Sequence, residues 1–232
     1  MEDNITAGNS EALKGILWDM DGVLVDTGEF HFQSWLAVLP DYGIPYDHEA
    51  FERTFGMNNA GTLRALTGRD LPPEVVAEIA ERKEQMYRAV LRGQVMALPG
   101  AQAWLARLKE RGYRQGIASS TPQANIDVVV NELGIASYFD LILSGSDMPP
   151  KPDPAVFLKV AAGIGVPPER CVVVEDSRAG VEAARRGGMR CIAVTTTNPA
   201  EALQTADVIV DRLDELPDDV FERLLDSGGS GA

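Results

Sequence analysis

The chain has 232 residues, 45% of them hydrophobic, which suffices for one large domain or a core with a smaller insertion. Its formal net charge of -14, from 35 acidic against 21 basic residues, argues against nucleic acid and anionic membrane as main partners, since both would be repelled. An anionic substrate therefore needs a local positive focus.

Residues 1–11 are polar and acidic, lack the basic and apolar regions of a signal peptide, and read as a flexible terminus; the SGGSGA ending, residues 227–232, reads as a second. Nothing between them approaches the roughly 18 apolar residues of a membrane span. Cys171 and Cys191 each open an apolar run and read as buried thiols rather than a disulfide, so a cytoplasmic location is expected.

The first element is the stretch ILWDMDGVLVDT, Ile16 to Thr27. An apolar strand of Ile16, Leu17 and Trp18 delivers Asp19 and Asp21 to a loop that Gly22 opens. In open α/β sheets that carboxyl edge is where ligands bind. From residue 28 to 97 the pattern turns helical: Phe32, Trp35, Leu36 and Leu39 share one face before Pro40. Leu63 and Leu66 sit in a second segment, and Val75, Val76, Ile79, Met86, Tyr87, Val90 and Leu91 in a third. This region reads as an inserted all-helical cap between two halves of a core, residues 12–27 and 98–226. The two crossings near Asp26 to Phe30 and at Leu98-Pro99-Gly100 are candidate hinges.

Beyond Pro99, helix and strand signals alternate. Helices are expected at Ala101 to Arg111, Ala124 to Leu133, Pro154 to Gly163, Gly180 to Arg186 and Asp218 to Leu225. Strands are expected at Gln115 to Ala118, Leu141 to Leu143, Cys171 to Val174, Cys191 to Val194 and Val208 to Val210. Such alternation predicts an α/β fold with a doubly wound, Rossmann-like parallel sheet covered on both faces.

Strand ends supply the candidate chemistry. Ser119, Ser120 and Thr121 follow the second strand, where a hydroxyl beside free N–H groups can hold a phosphate oxygen or simply cap the next helix. Lys151 lies between two prolines that restrict its backbone, though a solvated surface lysine is the commoner case. Glu175, Asp176 and Ser177 follow Cys171 to Val174. A second acid pair facing Asp19 and Asp21 would be repulsive without a cation, and Mg²⁺ suits oxygen ligands and a substrate phosphate. Helix capping by Asp176 or Ser177 is the plain alternative.

In this order the segments DMDGVLVDT, IASS, KPDP and VVEDS resemble the four motifs of the haloacid dehalogenase superfamily, and DTGEFHFQSW resembles its β-phosphoglucomutase-like branch, which carries a helical cap. The resemblance implies a phosphatase working through an aspartyl-phosphate, with Asp19 as nucleophile and Asp21 as general acid and base. Ser119 and Lys151 would hold the phosphoryl group, with Ser120 beside them. Mg²⁺ would sit on Asp19, the Asp21 carbonyl and Asp176, with Glu175 as a ligand or just behind. His31 and Lys83 match positions that the mutases use, while Asn59 stands where those enzymes carry an arginine for a second phosphate. His31 could equally pack beside Trp35.

The expected substrate is a small phosphorylated metabolite, most simply a sugar phosphate, handled without nucleic acid or membrane by a chain that a monomer would satisfy. The alternatives are a β-phosphoglucomutase and, more remotely, a non-enzymatic phospho-acceptor signalling domain. Receivers place their acceptor aspartate after the third strand and need about half this length.

Overall fold

Gly15–Trp18, fully buried, form β1, the strand from which the molecule is built outward. It pairs in parallel with β2 (Arg114–Ser119) on one side and β4 (Cys171–Glu175) on the other, so that Leu17 lies opposite both Gly116 and Val173. Adding β3 (Leu141–Ser144), β5 (Arg190–Val194) and β6 (Val208–Val210) completes a six-stranded parallel sheet in the order β3-β2-β1-β4-β5-β6. The chain reverses its direction of travel across the sheet between β1 and β4. A crevice at that switch point is the usual ligand site of a doubly wound sheet. This computed structural model describes residues 13–55 and 57–226, so the expectations for residues 1–11 and 227–232 lie outside the described residues.

Strand residues alternate between two cores, as a pleated backbone requires. Ile16, Trp18, Val172 and Val174 face one layer, with Trp104 and Leu105 of α5 (Ala101–Glu110), Ile126 and Val129 of α6 (Gln123–Leu133), and Phe221 of α9 (Val220–Asp226). Leu17, Cys171 and Val173 face the other, with Phe157 and Val160 of α7 (Ala155–Gly163) and Val181 and Ala184 of α8 (Arg178–Arg186). Each such buried aliphatic or aromatic side chain stabilises the fold by about 1.5–3 kcal/mol. At Gly116 a Cβ would stand 2.4 Å from Val160 Cγ1, so glycine lets α7 settle on β2. Both cysteines are buried and free, matching the expectation. Among the described residues no helix is long and apolar enough to cross a membrane.

The segment expected as a cap contains α1 (Gly28–Val38), α2 (His48–Thr54), α3 (Asn59–Thr67) and α4 (Pro73–Leu91), gathered around Trp35, Val38, Leu39, Leu63 and Ile79. Leu36 does not share the expected buried face but is 38% exposed, and Pro40 lies within a 3₁₀ turn, Leu39–Tyr42, that carries the chain past α1. The short α2 escaped the periodicity because it buries only Ala50 and Thr54. Its signal is the cap, where Asp47 accepts the Ala50 N–H at 2.8 Å. On α4 the inward stripe is Ile79, Lys83, Glu84, Tyr87 and Leu91, two of its five members charged, whereas Met86 points outward. The two chain crossings lie side by side, with Val25 bridged to Ala97 and Leu98 N–H donating to Leu24 O at 2.9 Å.

Candidate active site

Asp19 leaves the end of β1 with its own N–H still bound to Val174 O, so the sheet fixes its backbone. Its side chain is buried, and Oδ1 accepts Lys151 Nζ at 2.5 Å. The same ammonium donates to Glu175 Oε1 at 2.6 Å and lies 4.7 Å from the centre of the Phe157 ring. Glu175 is held in turn: Oε2 accepts the N–H groups of Asp176 and Ser177, each at 2.8 Å, and the Ser177 hydroxyl at 2.9 Å. Ser177 is also the N-cap of α8, its Oγ accepting the Gly180 N–H. A Cβ at Gly180 would come within 1.8 Å of Glu175 Oε1, so this arrangement demands glycine there.

Burial works against the Lys151 charge, but Asp19 and Glu175 together hold its pKa above the ordinary lysine range. Burial pushes the Asp19 carboxyl up to about 7; the Lys151 charge opposes that rise, and Glu175 and Asp21 add to it. Asp176 is raised by burial and then by the charges of Glu175 and Asp19, although the Thr197 hydroxyl donates to its Oδ2 and Asn198 Nδ2 to its main-chain oxygen. The first and fourth segments are in contact here: Gly22 has φ of 80°, and a Cβ on it would lie 1.9 Å from Asp176 Oδ2.

Asp21 is turned the other way. Its Oδ1 accepts the Thr27 hydroxyl at 2.5 Å and its Oδ2 the Thr121 hydroxyl at 2.6 Å, with His31 Nε2 3.8 Å from Oδ1. Burial tends to raise this carboxyl, yet His31, Thr121 and Thr27 hold it below the usual range. Lys83 Nζ lies 2.9 Å from His31 Nδ1. An ammonium can only donate, so Nδ1 accepts and the neutral ring carries its proton on Nε2, toward Asp21. Burial first, and then the Lys83 charge, lower the His31 pKa and favour that neutral ring. The imidazole stacks on Tyr87 at 4.3 Å between centres rather than on Trp35.

Lys83 also donates to Glu84 Oε1 at 2.9 Å, and Asn59 Nδ2 donates to the same oxygen at 2.9 Å. Ser119 is buried at the end of β2, and its Oγ accepts the Thr121 N–H at 3.1 Å; the residue at the cap of α6 is Pro122. Ser120 is exposed on that loop. The sequence-derived residues thus fall into a cluster of Asp19, Lys151, Glu175 and Asp176 at the sheet edge, a string that runs from Asp21 through His31 and Lys83 to Asn59 on the inserted helices, and Ser119 and Ser120 at the end of β2.

Matching these features, a family model described as haloacid dehalogenase-like hydrolase covers residues 16–194. The chain belongs to that family. It is a hydrolase of the β-phosphoglucomutase-like branch. It is 31% identical over 204 residues to a phosphorylated carbohydrates phosphatase of Thermotoga maritima, covering 85% of this chain and 93% of that protein. A chloroplastic 5-amino-6-(5-phospho-D-ribitylamino)uracil phosphatase of Arabidopsis thaliana is 30% identical across 92% of this chain, which spans 58% of that relative's length. The crystal structure of β-phosphoglucomutase from Clostridium difficile superposes with a TM-score of 0.83 at 26% identity, over 93% of this chain and 98% of the other.

A divalent cation fits the residues present. Asp19 and Asp176 are two buried carboxylates, the charge of the first helping to raise the second, and Gly22 leaves Asp176 the room a side chain would take. Among the described residues no group of three or more His, Cys, Asp or Glu is gathered as a ready-made cage. Mg²⁺ needs only one or two carboxylates when waters and a substrate phosphate complete its shell. Both oxygens of Glu175 already accept hydrogen bonds, Oε1 from Lys151 and Oε2 from the β4–α8 turn.

Thr27, Glu84, Thr197 and Asn198 had no assigned role in the sequence, and Thr121 was read only as one of the hydroxyls that follow β2, not as a partner of Asp21. Thr27 stands inside the first recognisable segment and Thr121 directly after the second, and Glu84 could have been noticed as a charge on the apolar stripe of α4. Thr197 and Asn198 carry no such local signal.

Proposed function

We propose that the chain is an Mg²⁺-dependent phosphatase that hydrolyses a small phosphate monoester, a sugar phosphate, through an aspartyl-phosphate on Asp19. The observation that carries this reading is the Asp19 carboxylate, buried at the carboxyl edge of the sheet and met by Lys151 at 2.5 Å, with Asp21 two residues on and separately anchored. Asp19 attacks phosphorus in line with the departing oxygen. Lys151 neutralises the approach of two negative groups and, with Ser119, holds the transferring phosphoryl group. Asp21 protonates the leaving oxygen and afterwards takes a proton from the attacking water, a role worth typically 10²- to 10⁴-fold. Asp19, Asp176 and the Asp21 carbonyl would hold Mg²⁺, which supplies positive charge opposite the phosphoryl oxygens.

The cap favours hydrolysis over a mutase. Asn59 is spent on Glu84, and the Lys83 charge is answered by the same carboxylate at 2.9 Å. Neither is left to grip the second phosphate of a bisphosphate intermediate. The similarity to a phosphorylated carbohydrates phosphatase supports the substrate class, and the one to β-phosphoglucomutase keeps the mutase as the second reading. A cytoplasmic enzyme acting alone on a free metabolite is consistent with the composition. Phosphate release from a panel of sugar, polyol and nucleotide monophosphates, with Mg²⁺ and after chelation, tests the assignment. Conversion of β-glucose 1-phosphate to glucose 6-phosphate with a bisphosphate primer and no free phosphate would overturn it.

A further inference from the structure

Asn125 lies in the first turn of α6, four positions beyond Thr121, and is completely buried between core and cap. Its Nδ2 donates to Glu84 Oε2 at 2.5 Å and its Oδ1 accepts Arg88 Nη1 at 2.8 Å. Glu84 and Arg88 are one turn apart on α4, so a single amide answers two successive cap residues of opposite charge. Only a side chain with both a donor and an acceptor can do this. The other oxygen of Glu84 takes Asn59 and Lys83, and Lys83 reaches His31 beside Asp21. At its opposite end the same stretch of chain holds Asp21 through the Thr121 hydroxyl. Residues 119–125 therefore tie the catalytic loop at one end and the cap at the other.

We propose that Asn125 is the positioning residue that registers the cap over the phosphate-holding loop, acting through Glu84 and Arg88 rather than by touching substrate. This rests on the phosphatase reading for its kinetic consequence, though not for the clasp itself. Loss of the amide leaves a buried carboxylate and a guanidinium without their shared partner. An aspartate at 125 would set two carboxylates against each other. Pairing that change with Glu84→Gln reverses donor and acceptor: the new glutamine amide donates to the carboxylate at 125, its oxygen still accepts Lys83 and Asn59, and Arg88 keeps an acceptor.

The test compares N125A, N125D, E84Q and the double variant E84Q/N125D. Asn125→Ala and Asn125→Asp should each lower kcat/KM for the best sugar phosphate at least tenfold, mainly through KM, and change it less than twofold for acetyl phosphate, which is too small to reach the cap. The double variant should recover to within about threefold of the wild type. Amide hydrogen exchange in α4 should rise at least tenfold in Asn125→Ala and Asn125→Asp and return in the double variant. A double variant no better than Asn125→Asp, equal losses on both substrates, or unchanged exchange in Asn125→Ala would each overturn the proposal. A wild-type protein that releases no phosphate from any substrate rejects the phosphatase reading instead, and the exchange result then decides the clasp alone.

Discussion

Lys151 stands between two buried carboxylates, and that position fixes what its loss must do. Removing it strands Asp19 and Glu175 in a poorly solvated site, where breaking a buried pair costs about 3–5 kcal/mol. It also takes away a preorganised positive charge at the phosphoryl position, worth on the order of 10²–10³ in kcat. Lys151→Ala should therefore both lower the thermal midpoint and suppress turnover at saturating substrate; a variant with normal stability and kcat would refute both roles. Gly22 is the opposite case, a residue whose lack of a side chain matters. With φ at 80° and a virtual Cβ 1.9 Å from Asp176 Oδ2, Gly22→Ala must either strain the turn or displace that carboxylate. The expected outcome is a folded protein whose apparent Mg²⁺ affinity, measured by the cation dependence of its thermal midpoint, falls at least tenfold. The main acids and the lysine were legible because each follows a strand or lies between prolines in the sequence. The bonds that Thr27 and Thr121 make to Asp21 were not legible, since they depend on two hydroxyls, one six and one a hundred positions away in the chain, pointing at one carboxylate.

At the scale of elements, the strands were readable almost to the residue, because each is a short apolar run bounded by a polar turn. Helices were legible where a stripe was apolar, as in α5 and α6; α4 was also expected as a helix, though not the two charges on its buried face, and α2 was missed. The short α2 buries too little to show a period, and α4 turns Lys83 and Glu84 inward with Ile79 and Tyr87. That charged pair gives the α4–α6 contact a pH signature. Burial tends to raise the Glu84 carboxyl, but Lys83, Asn59 and Asn125 hold it below its ordinary value of 4.5. A carboxyl depressed on folding contributes stability that is fully present above its unfolded pKa and is lost as the pH falls through the lower folded value. The contribution of Glu84 to the cap contact should thus be constant above the ordinary glutamate range and should weaken only below it. Thermal midpoints of wild type and Glu84→Gln should differ by a constant amount above that range and converge on acidification; a difference that stays constant throughout would exclude Glu84 as the titrating group.

For the whole molecule, the order β3-β2-β1-β4-β5-β6 determines where charge accumulates. It puts the carboxyl ends of β1 and β4 side by side, so Asp19, Glu175 and Asp176 meet in a chain already carrying a net charge of -14. One lysine does not neutralise that edge: Asp19 is pushed up to about 7, and Asp176 rises through the charges of Glu175 and Asp19 as well as burial. A ligand that binds the folded state and not the unfolded chain adds RT ln(1 + [L]/Kd), about 2.7 kcal/mol at a hundredfold excess over Kd. For a domain of this size each kcal/mol moves the midpoint by roughly 2–4 °C. Saturating Mg²⁺ should therefore raise the thermal midpoint of the wild type by about 5–10 °C, and chelation should return it to the starting value. Asp19→Asn should abolish turnover and most of this Mg²⁺-dependent rise, while its midpoint in chelator stays at or above that of the wild type because a desolvated charge has been removed. A wild type indifferent to Mg²⁺ in the scan, or an Asp19→Asn variant that responds to it fully, would mean that the acids at the switch point balance one another through Lys151 alone.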